Sequence, residues 1–258
     1  MELAVRIASA QLQGRTRSRR QIVAGPLVGL LHDEDVWFLS GVLAAEPGVA
    51  FDPEEVPWAL DTLRKAFAAE GRWLSAELIE EANPGLADAL AAEGMTIASR
   101  PPLLAVEPTG LRSPEPPAEV TASIVRSPEE QAEADRVAIA SYGDEDVASS
   151  FKEDPADGGS VLIRWDGVPV ATALWTAVAD GVTEIAGVGT LPDYRRRGLG
   201  AFATAFATQA AFDRAGATLA WLTPGDDGSD RVYRGIGFAP AATAVHLGDP
   251  GGHLDSLR

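Results

Sequence analysis

The stretch GTLPDYRRRGLGAF, Gly189 to Phe202, sets three consecutive arginines beside two closely spaced glycines in a chain of formal net charge −17. Downstream, Leu199, Phe202, Phe206 and Ala210 recur at three- and four-residue steps. That spacing predicts a helix starting near Gly198 and running through Ala215, with Gly216 as its stop. The first N–H groups of a helix have no partner inside it, and the helix dipole is positive at that end. Glycines at 198 and 200 remove the side chains that would hold an anion off. Arg195, Arg196 and Arg197 add positive charge around the same point. The expected occupant is a pyrophosphate, which offers many oxygens spread over several ångströms. The plainer alternative is a solvated arginine turn ahead of an ordinary core helix. Two other phosphate motifs do not fit. A P-loop needs a Gly-Lys-Ser/Thr ending, and no lysine is near; GVGTLP supplies two glycines and then Pro192, against the three of a dinucleotide fingerprint.

Composition narrows the chemistry. The chain has 258 residues, 46% hydrophobic and 23% charged, which is a globular balance long enough for two domains. There is no cysteine, so disulfides, thiolate metal sites and a cysteine nucleophile are excluded. His32, His246 and His253 lie far apart and show no ligand spacing, so no metal is expected. The N-terminus carries Glu2 and lacks a signal-peptide apolar stretch, and no run approaches the ~18 apolar residues of a membrane span. A cytoplasmic protein with no membrane partner is expected. The acidic balance argues against nucleic acid. It suits a cationic substrate such as an amine, or simply solubility.

A proline-rich, mixed-charge segment, Val106 to Val120, reads as a linker and sets the expected domains at 1–114 and 115–258. Beyond it, strands are expected at Val120–Arg126, Ser160–Trp165, Val168–Val178, Val182–Leu191, Ala217–Leu222 and Ala241–Leu247. Asp166-Gly167 forms a two-residue hairpin turn. Ser127 as N-cap and Pro128 after it open a helix to Tyr142. Ser229–Phe238 is a short helix and turn. Gly187 and Gly189 interrupt their strand, as at a bulge or a close approach by a ligand. The first half ends similarly, with a helix over Glu54–Gly71, a strand over Arg72–Glu81 and a short helix over Asn83–Met95. Where the second half has RRRGLG, the first has the acidic, glycine-free AFDPEEVP. The two halves look like a duplication in which only the second keeps a phosphate site.

A strand with a break, Pro192, Tyr194 and then Arg195-Arg196-Arg197-Gly198-Leu199-Gly200 resembles the acyl-CoA motif [QR]-x-x-G-x-[GA] of the GNAT (Gcn5-related N-acetyltransferase) superfamily. Tyr233 followed by Gly237-Phe238 matches that family's ending, and the resemblance spans roughly residues 119–247. It implies an α/β (α+β) tandem GNAT fold, each half a mixed, mostly antiparallel sheet flanked by helices, with a degenerate N-terminal half. It also implies acetyl-CoA, or another acyl-CoA, as co-substrate. The pantetheine arm would pair with Val188-Gly189-Thr190, the Val188 N–H would polarise the thioester carbonyl, and the pyrophosphate would sit on the amides from Arg196 to Ala201. Glu184, eleven residues before Arg195, is the candidate base, since partial burial beside Ile185 would raise its proton affinity. A bystander glutamate on the strand surface fits equally. Tyr233 is the candidate acid for the leaving thiolate; a core tyrosine is the alternative. Asp226 stands where relatives often have an asparagine contacting the cofactor arm, and an ionised aspartate offers no donor.

The resulting expectation is an N-acyltransferase moving an acetyl group to a primary amine of a small molecule by direct transfer in a ternary complex. Asp144, Glu145 and Asp146 would receive a cationic amine, or form a solvated acidic loop. Trp175 and Trp221 would line the pocket, or the core. The N-terminal half would shape the acceptor cleft, and a homodimer is compatible. The alternatives are a non-catalytic acyl-CoA-binding module, or a GNAT-fold enzyme with another donor or reaction.

Overall fold

The computed structural model describes residues 1–34, 36, 38–143, 149 and 152–254. The chain forms two compact units, Met1–Leu103 with Pro240–Arg258, and Leu104–Ala239. The expected cut at 114/115 followed the prolines. The compact units divide after Leu103, and the last strand from Pro240 onward falls in the first unit.

In the first unit, α1 (Glu2–Thr16) precedes β1 (Arg20–Ala24), β2 (Leu27–Leu31) and β3 (Gly41–Ala44), an antiparallel meander. There follow α2 (Val56–Ala69), β4 (Ser75–Ile79), α3 (Leu86–Ala92) and β5 (Thr96–Ser99). β4 runs parallel to β3. β12 (Ala239–Gly248) pairs antiparallel with both β4 and β5. Val56, Leu60, Leu63 and Phe67 recur along one face of α2 and are buried against this sheet. At Gly29 a Cβ would stand 2.8 Å from Leu63 Cδ2, so the missing side chain lets α2 approach.

In the second unit, β7 (Val120–Ile124), β8 (Gly158–Trp165), β9 (Val168–Thr176) and β10 (Val182–Thr190) are joined antiparallel in that order. β11 (Leu219–Leu222) runs parallel to β10, and residues Leu104–Val106 of β6 (Pro102–Val106) lie antiparallel to β11. The β8–β9 hairpin turns at Asp166 and Gly167, whose φ angles of 48° and 81° are those of the expected two-residue turn. α4 (Pro128–Tyr142) begins at Ser127, whose hydroxyl accepts from the Glu130 N–H at 3.3 Å. α5 (Leu199–Ala215) and α6 (Asp227–Gly235) complete the unit. Alternation along β8 sends Val161 and Ile163 toward α5, and Leu162 toward Ala134 and Val137 of α4. The sheet is mostly antiparallel with a helix on each face, so the α/β GNAT-type architecture is present.

Candidate active site

The parallel pairing of β10 with β11 covers only Val182–Glu184 against Leu219–Trp221. Beyond Glu184 the two strands are no longer paired, and β10 bulges between Ala186 and Gly189, with Gly187 at φ 59°. The bulge shifts the register of the strand and changes the direction of its backbone groups. At its end, Gly189 is packed so tightly that a Cβ would lie 3.0 Å from both Cβ and Oγ of Ser141 on α4. Glycine is needed there for the close helix approach, which sets α4 directly over the bulge.

Tyr142, in the last turn of α4, donates its hydroxyl to the Val188 carbonyl at 2.8 Å. The residue as a whole is 52% exposed. This residue was not singled out in the sequence; the only local signal is an aromatic directly before the helix-ending Gly143. Tyr233, on α6, packs partly buried against the core and tilts on Phe238 with ring centroids 6.4 Å apart. Burial first, then Tyr142 and Asp226, pushes its phenol well above the ordinary tyrosine range. The Tyr233 hydroxyl is therefore held neutral.

A short 3₁₀ turn, Pro192–Tyr194, leads from β10 to the arginines. Gly198 is the N-cap of α5 at φ 79° and brings no side chain to the cap. The N–H groups of Leu199, Gly200 and Ala201 thus open the helix without a capping side chain, while Phe202 N–H bonds Gly198 O at 3.0 Å. A Cβ on Gly198 would meet nothing within 4 Å, and one on Gly200 only Thr190 Oγ1 at 3.8 Å. Neither glycine at the helix start has its Cβ position blocked. Leu199 points its own side chain into the core, leaving only its backbone for that role.

The three arginines separate by role. Arg195 donates Nη2 to Ser141 O at 2.8 Å and Nε to Thr190 O at 3.1 Å, tying α4 to the end of β10. Arg197 donates to Asp193 O at 3.1 Å and lies 5.2 Å from the Trp165 ring centroid and 5.3 Å from that of Tyr194. Arg196, at φ 59°, is exposed and bonds no described residue. Arg195 and Arg197 bond within the loop, and the Arg196 guanidinium bonds no described residue.

Asp226 is the N-cap of α6. Its Oδ1 accepts from the Ser229 N–H at 2.6 Å, and Ser229 Oγ accepts from the Asp226 N–H at 3.0 Å. These bonds hold its carboxyl below the usual range. Glu184 is half-buried on β10, with its N–H donated to Thr176 Oγ1 at 3.1 Å. Alternation puts it on the face opposite Ile185, which packs in the α5-side core. Trp221 and Trp175 are each 2% exposed, so both are core residues; the Trp175 indole N–H donates to Pro155 O at 2.9 Å. Asp144, Glu145 and Asp146 lie outside the described residues. Among the described residues no group of three or more His, Cys, Asp or Glu could hold a metal ion, and no helix is long and apolar enough to cross a membrane.

A parallel strand pair that ends at Glu184, a bulge beyond it and a glycine start to α5 fit the acyltransferase-type α/β fold that the sequence motif resembles. The model of the Acetyltransferase (GNAT) family matches residues 124–238. A GCN5-related N-acetyltransferase from Kribbella flavida is 73% identical, with 99% of this chain and 98% of that one covered and a TM-score of 0.93. The chain belongs to the GNAT family of N-acetyltransferases. Its fold is shared at 14% identity with two further solved structures. One is a GCN5-related N-acetyltransferase from Sphaerobacter thermophilus (TM-score 0.61; 87% of this chain, 76% of that one). The other is a tandem GNAT protein from the clavulanic acid biosynthesis pathway (TM-score 0.59; 89% and 80%). No curated protein matches the chain.

Proposed function

We propose that the Leu104–Ala239 unit transfers an acetyl group from acetyl-CoA to a primary amine of a small molecule. The observation that carries this reading is the open, side-chain-free start of α5 facing the unpaired end of β10. The amides of Leu199, Gly200 and Ala201 and the guanidinium of Arg196 would hold the pyrophosphate. The backbone of Val188, Gly189 and Thr190 would receive the pantetheine arm, which would compete with Tyr142 for the Val188 carbonyl.

Direct transfer suits a chain without cysteine. The neutral amine nitrogen attacks the thioester carbonyl, the C–S bond breaks, and the Val188 N–H steadies the oxyanion. Glu184 takes the proton that the amine gives up. Tyr233, kept neutral by burial, returns one to the CoA thiolate. The test is CoA release with a panel of primary amines. Glu184→Gln and Tyr233→Phe should each lower kcat by about 10²-fold or more while acetyl-CoA binding persists. Binding of acetyl-CoA without turnover of any amine, and indifference to both substitutions, would instead support a non-catalytic binding module.

A further inference from the structure

The second unit holds another concavity, at the opposite end of α5. It is a cavity of about 480 Å³, within the range of small-molecule sites. Part of its lining is apolar, from Ile124, Val125 and Pro155, with the buried Trp175 indole behind them. That wall is held rigidly. The Trp175 indole is fixed by its bond to Pro155 O and lies over Gly159, where a Cβ would stand 2.3 Å from Trp175 Cζ2.

The rim has the opposite character from the protein as a whole. Arg126 after β7, Lys152 before β8 and Arg214 in the last turn of α5 converge on it, against the single carboxylate of Glu153. All three cations are exposed, and among the described residues none forms an ion pair. The nearby Glu130 carboxylate accepts from the Arg126 backbone N–H at 2.7 Å. In a chain of net charge −17, three cations against the one carboxylate of Glu153 leave this lining net positive where the protein as a whole is acidic.

We propose that this cavity binds a small organic anion: a carboxylate or phosphate head on the Arg126–Lys152–Arg214 rim, and a compact apolar body against Ile124 and Pro155. It is separate from the arginine–glycine loop. Gly200 and Arg214 lie at opposite ends of α5, about 21 Å apart at 1.5 Å per residue. The site therefore does not depend on the donor assignment.

The experiment is calorimetry on the full chain with benzoate, phenyl phosphate and neutral benzyl alcohol. Both anions should bind, and benzyl alcohol should bind more weakly by about tenfold or more. Joint replacement Arg126→Glu and Arg214→Glu, both at exposed positions, should weaken both anions by a similar factor, with circular dichroism confirming that the fold is kept. Both anions should still bind when saturating CoA fills the donor loop. The proposal is overturned by equal affinity for benzyl alcohol and benzoate, by loss of anion binding in the presence of CoA while the double reversal has no effect, or by no binding of any probe.

Discussion

Tyr142 Oη donates a 2.8 Å hydrogen bond to the Val188 carbonyl, joining the last turn of α4 to the bulge of β10. The bond fixes the spacing between the helix and the strand edge that the donor would use. Tyr142→Phe removes it while keeping the ring. The expected cost is about 1 kcal/mol of stability. Hydrogen exchange should show faster exchange of the β10 amides around the bulge and little change in the first unit. Unchanged protection there would remove Tyr142 from the site.

The Tyr233 phenol is held neutral chiefly by burial, then by Tyr142 and Asp226. A raised folded-state value has a definite sign. The stability it reports is fully present below the ordinary tyrosine value of about 10 and is lost as pH rises through the higher folded value. Burial raises the Tyr142 phenol as well, so phenolate absorbance should show late ionisation of both, and Tyr233→Phe should remove one of the two steps. A wild-type titration complete near pH ~10 would contradict the burial argument.

The three arginines should respond differently. Arg196→Ala is expected to weaken acetyl-CoA binding, with a reduced salt dependence and no change in melting temperature, because Arg196 bonds no described residue. Arg197→Ala should cost about 0.5–1 kcal/mol of stability through the lost stacking on Trp165 and Tyr194. Arg195→Ala should loosen the Ser141–Thr190 tie. Calorimetry and melting curves on the three variants separate these outcomes, and identical losses of donor affinity in all three would refute the division of roles.

Gly198 holds φ 79° with open space around its missing Cβ. Gly198→Ala should therefore act through backbone strain of about 1–2 kcal/mol and not through a clash. Gly198→Glu adds a negative charge where an anion is to sit, and acetyl-CoA affinity should fall by about tenfold more than in the alanine variant. Equal affinity in both variants would place the pyrophosphate elsewhere.

Gly189→Ala would set a Cβ 3.0 Å from Ser141 Cβ and Oγ, so α4 must shift. The expected loss is about 1–3 kcal/mol, as for overpacking a tight contact. Denaturant melts of the variant measure it, and full retention of stability would show that the α4–β10 spacing is adjustable.

Much of the C-terminal unit was legible because its signals are local. The Ser127 cap, the Asp166-Gly167 turn, the glycine start of α5 and the apolar steps along it are set by contiguous residues, whose backbone preferences need no distant partner. The family motif is of the same kind, since a helix start and its glycines are adjacent in the chain. Tertiary structure alone decided which arginine stays free, because that depends on carbonyls of Ser141 and Thr190 and on the rings of Trp165 and Tyr194. It also gave Asp226 a capping partner in Ser229, brought Tyr142 to Val188 across 46 positions, and paired the last strand with β4 and β5. Long-range hydrogen bonds and packing select among groups that are chemically alike, and no pattern along the chain records that selection.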